Sequence, residues 1–236
     1  MKGILRARVL LATVLLWFAP DLVAHSPVPD TLEQRVVACA ACHGKQGEGL
    51  RANEYFPRIA GKPAGYLYNQ LVNFRERRRH SPVMNYMVAY LSNDYLREIA
   101  QYYAALPATF PPAAAASPGP VLARGEALMT RGDPVREIPA CADCHGKALL
   151  GMNPAIPALI GLDAQYVAAQ MGAWRNKTRR AHAPDCMASI ASLLVPGDIS
   201  AIAAYLAVQS PSAQASAPLP PGALKLPMEC GGLDGR

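Results

Sequence analysis

The stretch CAACH at residues 39–43 returns almost unchanged as CADCH at residues 141–145. Two cysteines separated by two residues lie about one helical turn apart, so both thiols can reach one edge of the same partner. The pentapeptide Cys-x-x-Cys-His is the attachment signature of c-type haem. Each thiol forms a thioether with one vinyl group of the porphyrin, and the histidine gives a ring nitrogen to the iron. A bare Cys-x-x-Cys also suits a redox dithiol or half a zinc site. The adjacent histidine disfavours both, and pairs roughly one hundred residues apart do not make one zinc site. The motifs therefore predict two covalently bound haem c groups. Cys39, Cys42 and His43 hold one, and Cys141, Cys144 and His145 hold the other.

The spacing of the motifs points to a duplication. FPRIAGKPAGYLYNQLVNFRERRR at 56–79 lies over IPALIGLDAQYVAAQMGAWRNKTR at 156–179. Pro57 meets Pro157, Gly61 meets Gly161, Tyr66 meets Tyr166, Gln70 meets Gln170 and Arg75 meets Arg175. Each half then has one plan: a short helix into the haem motif, a Gly/Pro loop, an amphipathic helix near 65–79 or 163–178, and a closing helix near 93–106 or 196–208. Asp30 or Thr31 can cap the first helix. Apolar residues recur at helical spacing in the closing helices, as in Leu96, Ile99, Tyr103 and Ile199, Ile202, Leu206. No hairpin signal is evident. The fold class is all-α, with two tandem small helical domains, each around a covalently bound haem. The expected boundaries are a signal peptide at 1–24, domain 1 at 25–106, a linker at 107–120, domain 2 at 121–209 and a Pro/Ala-rich tail at 210–236. Domains this small bury little core unaided, and the apolar haem completes each.

The second axial ligand separates a carrier from an enzyme: methionine favours electron transfer, and an open position permits small-molecule chemistry. Met84 lies eight residues before Ser92, where the first closing helix begins, and Met187 lies eight before Val195 in the second half. They are the predicted ligands. Met87 would align with Ile190, which cannot bind iron, and reads as a packing residue. His80 and His182 also correspond but follow basic clusters and read as surface residues. Met129, Met152 and Met171 fit core or loop positions.

Composition bounds the rest. The chain has 236 residues and a formal charge of +6. Lys2, Arg6 and Arg8 before the apolar run VLLATVLLWF, with a cleavage point near Ala24, read as a secretory signal peptide. The mild remaining charge gives no case for nucleic acid, and the cluster FRERRRH at 74–80 reads as a solvated helix face.

With these residues in hand, the chain resembles the dihaem c-type cytochromes of the cytochrome c4 group. The resemblance rests on CAACHG, CADCHG, FPRIAG, IPALIG and the two helices YLYNQLVNFRERRR and YVAAQMGAWRNKTRR. It implies paired cytochrome c domains related by a pseudo-twofold, in a periplasmic electron carrier. A quinol-oxidising complex or a dehydrogenase would be the donor and a terminal oxidase or reductase the acceptor. Peripheral contact with the membrane is compatible with this role. It also implies that a proline carbonyl accepts a hydrogen bond from each ligating histidine, and Pro57 and Pro157 stand at those positions. Tyr66, Tyr166, Arg75 and Arg175 suit haem edges or ordinary packing.

Cys186, Cys230 and the tail lie outside that pattern. In an oxidising compartment two cysteines not used by haem tend to pair, which would bring the tail back over domain 2. The alternative is a dihaem oxidoreductase, either of the peroxidase type with an accessible iron or of the sulfur-compound dehydrogenase type with Cys186 on the second iron. A third reading is the cytochrome subunit of a larger dehydrogenase.

Overall fold

The computed structural model describes residues 31–50, 53, 55–115, 119–210 and 217–234. The expected signal peptide lies outside them. Thr31 accepts a hydrogen bond from Gln34 N at 3.3 Å and so caps α1 (Leu32–Arg35). The chain bends at Val36 into α2 (Val37–His43), which carries the first haem motif. The first half continues with α3 (Ala64–Arg75), α4 (Pro82–Met87) and α5 (Asn93–Ala105). The second repeats this order as α6 (Pro120–Thr130), α7 (Cys141–His145), α8 (Ala164–Arg175), α9 (Cys186–Leu193) and α10 (Pro196–Ala207). Pro82, Pro120 and Pro196 each sit in a first turn, where a missing N–H costs nothing. Among the described residues β-pairing is limited to isolated bridges. No single described helix is long and apolar enough to cross a membrane.

Each half has its own apolar centre. Leu67, Val72, Leu96, Ile99 and Tyr103 join α3 to α5 in the first. In the second, Leu128, Val167, Ile199, Ile202 and Leu206 join α6, α8 and α10. The apolar periodicity of the closing helices thus falls on their buried faces.

The loops repeat as closely as the helices. Gly49 N donates to His43 O at 2.7 Å, and Gly151 N donates to His145 O at 2.9 Å. A side chain at either glycine would strike backbone: a Cβ at Gly49 would come within 2.7 Å of Pro57 C, and one at Gly151 within 2.6 Å of Pro157 C. Both have positive φ, at 77° and 83°. These glycines let the loop carrying Pro57 or Pro157 close against its histidine.

Two expectations need correction. The amphipathic helices stop at Arg75 and Arg175, earlier than periodicity suggests, because Arg77 and Lys177 enter the left-handed region at φ 58° and 61°. The reversal sends the following residues back between the halves. The cluster at 74–80 is consequently not a solvated helix face: Arg78 bonds Asn73 and Arg79 reaches across to the second half. Within the linker, Phe110 packs on the second core and beneath the Arg58 guanidinium at 4.7 Å.

Candidate haem sites and the interface between them

Helices α2 and α7 each end in the histidine of their motif, so two cysteines and a histidine occupy little more than one turn. His43 and His145 are buried. His43 Nδ1 donates to Pro57 O at 2.9 Å, and His145 Nδ1 donates to Pro157 O at 2.8 Å. A carbonyl can only accept, so the proton lies on Nδ1 and Nε2 keeps a lone pair. Burial holds both imidazoles below the usual histidine range, which keeps that lone pair available. The same bond fixes each ring's orientation. Burial raises the Cys39 and Cys144 thiols and pushes Cys141 up to about 12, the reverse of the thiolate activation that a redox dithiol uses.

In the second half an apolar cavity opens over this motif, lined by Cys141, Cys144, His145, Pro157 and Met187. Met187 is the second residue of α9. In the first half Met84 lies on α4, partly buried against the core, while Met87 is 37% exposed. His80 is exposed, and His182 Nε2 pairs with Arg78 Nη2 at 3.0 Å. Arg75 and Arg175 tie α3 and α8 to the chain ahead of the closing helices, through Leu91 O and Leu194 O. Cys186 is bonded to Cys230 with their Cα atoms 5.2 Å apart. The expected disulfide therefore forms, and the reading with Cys186 on the iron falls.

Repeat-equivalent residues meet one another between the halves. His80 N donates to Thr178 O at 2.8 Å, and Arg180 N donates to Arg78 O at 2.7 Å. Arg79 donates to Gln70 Oε1 (2.9 Å), Gln170 Oε1 (2.7 Å) and the Tyr166 hydroxyl (3.1 Å). Arg179 donates to Gln170 Oε1 (2.7 Å), Gln70 Oε1 (3.2 Å) and the Tyr66 hydroxyl (3.4 Å). Each arginine also stacks on its own half's aromatic, Arg79 on Phe74 at 4.6 Å and Arg179 on Trp174 at 3.8 Å. Tyr66 and Tyr166 thus serve this network.

The sequence reading missed two residues here. Arg58 and Lys62 are 6% and 4% exposed, and no carboxylate among the described residues pairs with either. Arg58 Nε and Nη2 have no partner. Burial brings Arg58 down to about 10, and it pushes Lys62 well below the usual lysine range. Buried cations without a carboxylate partner are costly; Arg58 has only Ala60 O and the Phe110 face, and Lys62 the Tyr66 face, so the site suits anions. Haem c fits on both counts, with an apolar macrocycle for the cavity and two propionate carboxylates per ring for the cations. The available signal was a mismatch between halves: Arg58 and Lys62 stand where the repeat has Ala158 and Leu162. Lys62 and Tyr66, from the first half, also line the second half's cavity.

No protein-family model matches the chain. It is 38% identical to the thiosulfate dehydrogenase electron acceptor of Thiomonas intermedia strain K12, over 86% of this chain and 91% of that protein. It is 33% identical to cytochrome c4 of Pseudomonas aeruginosa, over 84% and 96% of the two chains. The structure resembles that of reduced cytochrome c4 from Pseudomonas stutzeri, with a TM-score of 0.65, 27% identity, and 75% and 96% of the chains covered. With two tandem helical cytochrome c domains and two covalently bound haem c groups, this electron-transfer protein belongs to the cytochrome c4 group of dihaem c-type cytochromes.

Proposed function

We propose that the protein is a periplasmic carrier that takes single electrons from a thiosulfate dehydrogenase and passes them to a respiratory acceptor. Residues 1–24 would be its export signal, and 25–106 and 121–209 its two haem domains. Cys39 and Cys42 hold one haem and Cys141 and Cys144 the other. His43 with Met84, and His145 with Met187, would hold the two irons. The haem irons supply one-electron chemistry, cycling between ferrous and ferric states. The protein's own part is to keep that change small in structure. The Pro57 and Pro157 carbonyls orient the histidines, the short helices α4 and α9 present the methionines, and the apolar walls exclude water. The observation that carries this reading is the double coincidence of a histidine anchored through Nδ1 and a methionine at the repeat-equivalent place. The donor is inferred from the name of the Thiomonas relative.

The test is optical. Ferric haem with a methionine ligand has a weak far-red charge-transfer band. Met84→Ala and Met187→Ala should each remove about half of it, and Met87→Ala should leave it intact. An unchanged band in Met187→Ala would refute the ligand assignment. Failure of a thiosulfate dehydrogenase with thiosulfate to reduce the purified ferric protein would refute the donor.

A further inference from the structure

The C-terminal segment 217–234 does more than cover a surface. Its first contact is with the loop behind the second haem histidine: Leu219 N donates to Gly151 O at 2.9 Å, and Asn153 N donates to Leu219 O at 2.8 Å. After a turn at 221–222 it runs on without regular structure. In LKLPMEC at 224–230 the partly buried residues alternate with exposed ones, so Leu224, Leu226, Met228 and Cys230 face inward and Lys225, Pro227 and Glu229 outward. Leu226 and Met228 line the cavity that also holds His145 and Met187. The segment finishes on the methionine side, where Cys230 bonds Cys186 and Gly231 N donates to Pro184 O at 2.8 Å. Asn69 of α3 then donates to Gly232 O at 2.6 Å, tying the strap to the first half.

Cys186 opens α9 and directly precedes Met187. A helix of eight residues has little stability of its own, so its position depends on what holds its first turn. Asp185 does part of this, accepting from Ala181 N at 2.6 Å and Ala188 N at 3.0 Å. The disulfide supplies a covalent anchor at the next residue. The first half has no such device: the residue equivalent to Cys186 is Val83, 59% exposed.

We propose that the disulfide-tied strap is a positioning device that holds Met187 on the second iron and shuts external ligands out of that site, leaving the first haem as the one whose methionine can be displaced. This rests on Met187 being the axial ligand. Displacement of an axial methionine requires the methionine to swing away and a small ligand to enter. The strap opposes both, one by fixing the start of α9 and the other by lining the cavity.

The test uses the ferric dihaem protein and imidazole as probe, following loss of the far-red band and the shifted methionine methyl resonances. In the wild type one haem should bind imidazole at least tenfold faster than the other, and Met84→Ala should identify it as the first. Cys186→Ser/Cys230→Ser should speed the second haem at least tenfold and leave the first unchanged. Wild-type protein reduced, alkylated at the freed thiols and reoxidised should match it, which covers failure of the variant to mature. Equal rates in wild type and in both opened forms, with the methionine signals present, would overturn the strap's role alone. Absence of a second methionine signal in the wild type would instead overturn the ligand assignment.

Discussion

Helix α6 crosses α10 at Gly125, and the same substitution there and at Gly172 should have opposite effects. A Cβ at Gly125 would lie 2.7 Å from Tyr205 Cβ and 2.9 Å from Ala201 C, with the Ala201 carbonyl oxygen nearer still. Carbon atoms pack comfortably at about 3.5–4.0 Å, so the helices must part by about 1 Å. Part of the obstacle is backbone that cannot rotate aside, which puts the cost near the upper end of overpacking, about 3 kcal/mol. Alanine returns about 1 kcal/mol of helix propensity, leaving Gly125→Ala about 2 kcal/mol less stable. Gly172 sits inside α8 with nothing within 4 Å of the added carbon, so Gly172→Ala should gain up to about 1 kcal/mol. Guanidinium unfolding of the dihaem protein, followed by far-ultraviolet circular dichroism and Soret absorbance, would measure both. A midpoint for Gly125→Ala equal to or above that of Gly172→Ala would refute the idea that α6 and α10 are in backbone contact at this point.

Three further outcomes follow from buried and half-buried polar groups. Asp198 bonds Arg124 Nε at 2.9 Å, Arg136 Nη1 at 2.8 Å and Val195 N at 3.1 Å; burial alone would raise its carboxyl, but these donors hold it below the usual range. Asp198→Asn should therefore cost about 2 kcal/mol at pH 7, with the gap to wild type starting to close at about pH 4, where the unfolded carboxyl takes up its proton, and closing further as the pH falls through the lower native value; a gap independent of pH from 7 to 2 would refute this. Gln170→Leu removes an acceptor shared by Arg79 and Arg179 and should destabilise the contact between halves by about 2 kcal/mol, seen calorimetrically as one transition resolving into two. Lys62→Leu, which copies the residue at 162, removes a cation from the wall of the second cavity and should lower that haem's midpoint by on the order of tens of millivolts; a rise in a spectroelectrochemical titration would contradict it.

Parts of this architecture were legible in the sequence because their chemistry is local or duplicated. Thioether attachment demands Cys39, Cys42 and His43 within one turn, so the motif carries its own evidence. Met84 and Met187 are far from His43 and His145 in sequence, but the repeat places both at the same distance before the closing helices. Arg79 and Arg179 were harder to read. Polar residues after an amphipathic helix look the same whether they face water or a second domain, and only the left-handed turns at Arg77 and Lys177 send them inward. The tail was half legible: two spare cysteines implied a bridge, but its path depends on the faint alternation in LKLPMEC.

The contact between the halves has the form of a twofold dimer. Arg79 binds both glutamines and Arg179 binds both glutamines, which is what a self-complementary patch produces when two copies face each other. Duplication of one domain supplies such an interface in both copies at once, and covalent linkage removes most of the entropic cost of bringing them together. A symmetric pair would nonetheless give two identical haem sites, with no preferred direction for an electron. Two departures break that symmetry in this chain. Arg58 and Lys62 are buried cations where the second half has Ala158 and Leu162, with Lys62 reaching the second cavity. The strap closes only the second half. The repeat-equivalent residues hold the halves in register, and the residues without equivalents make the two sites electrostatically and sterically different.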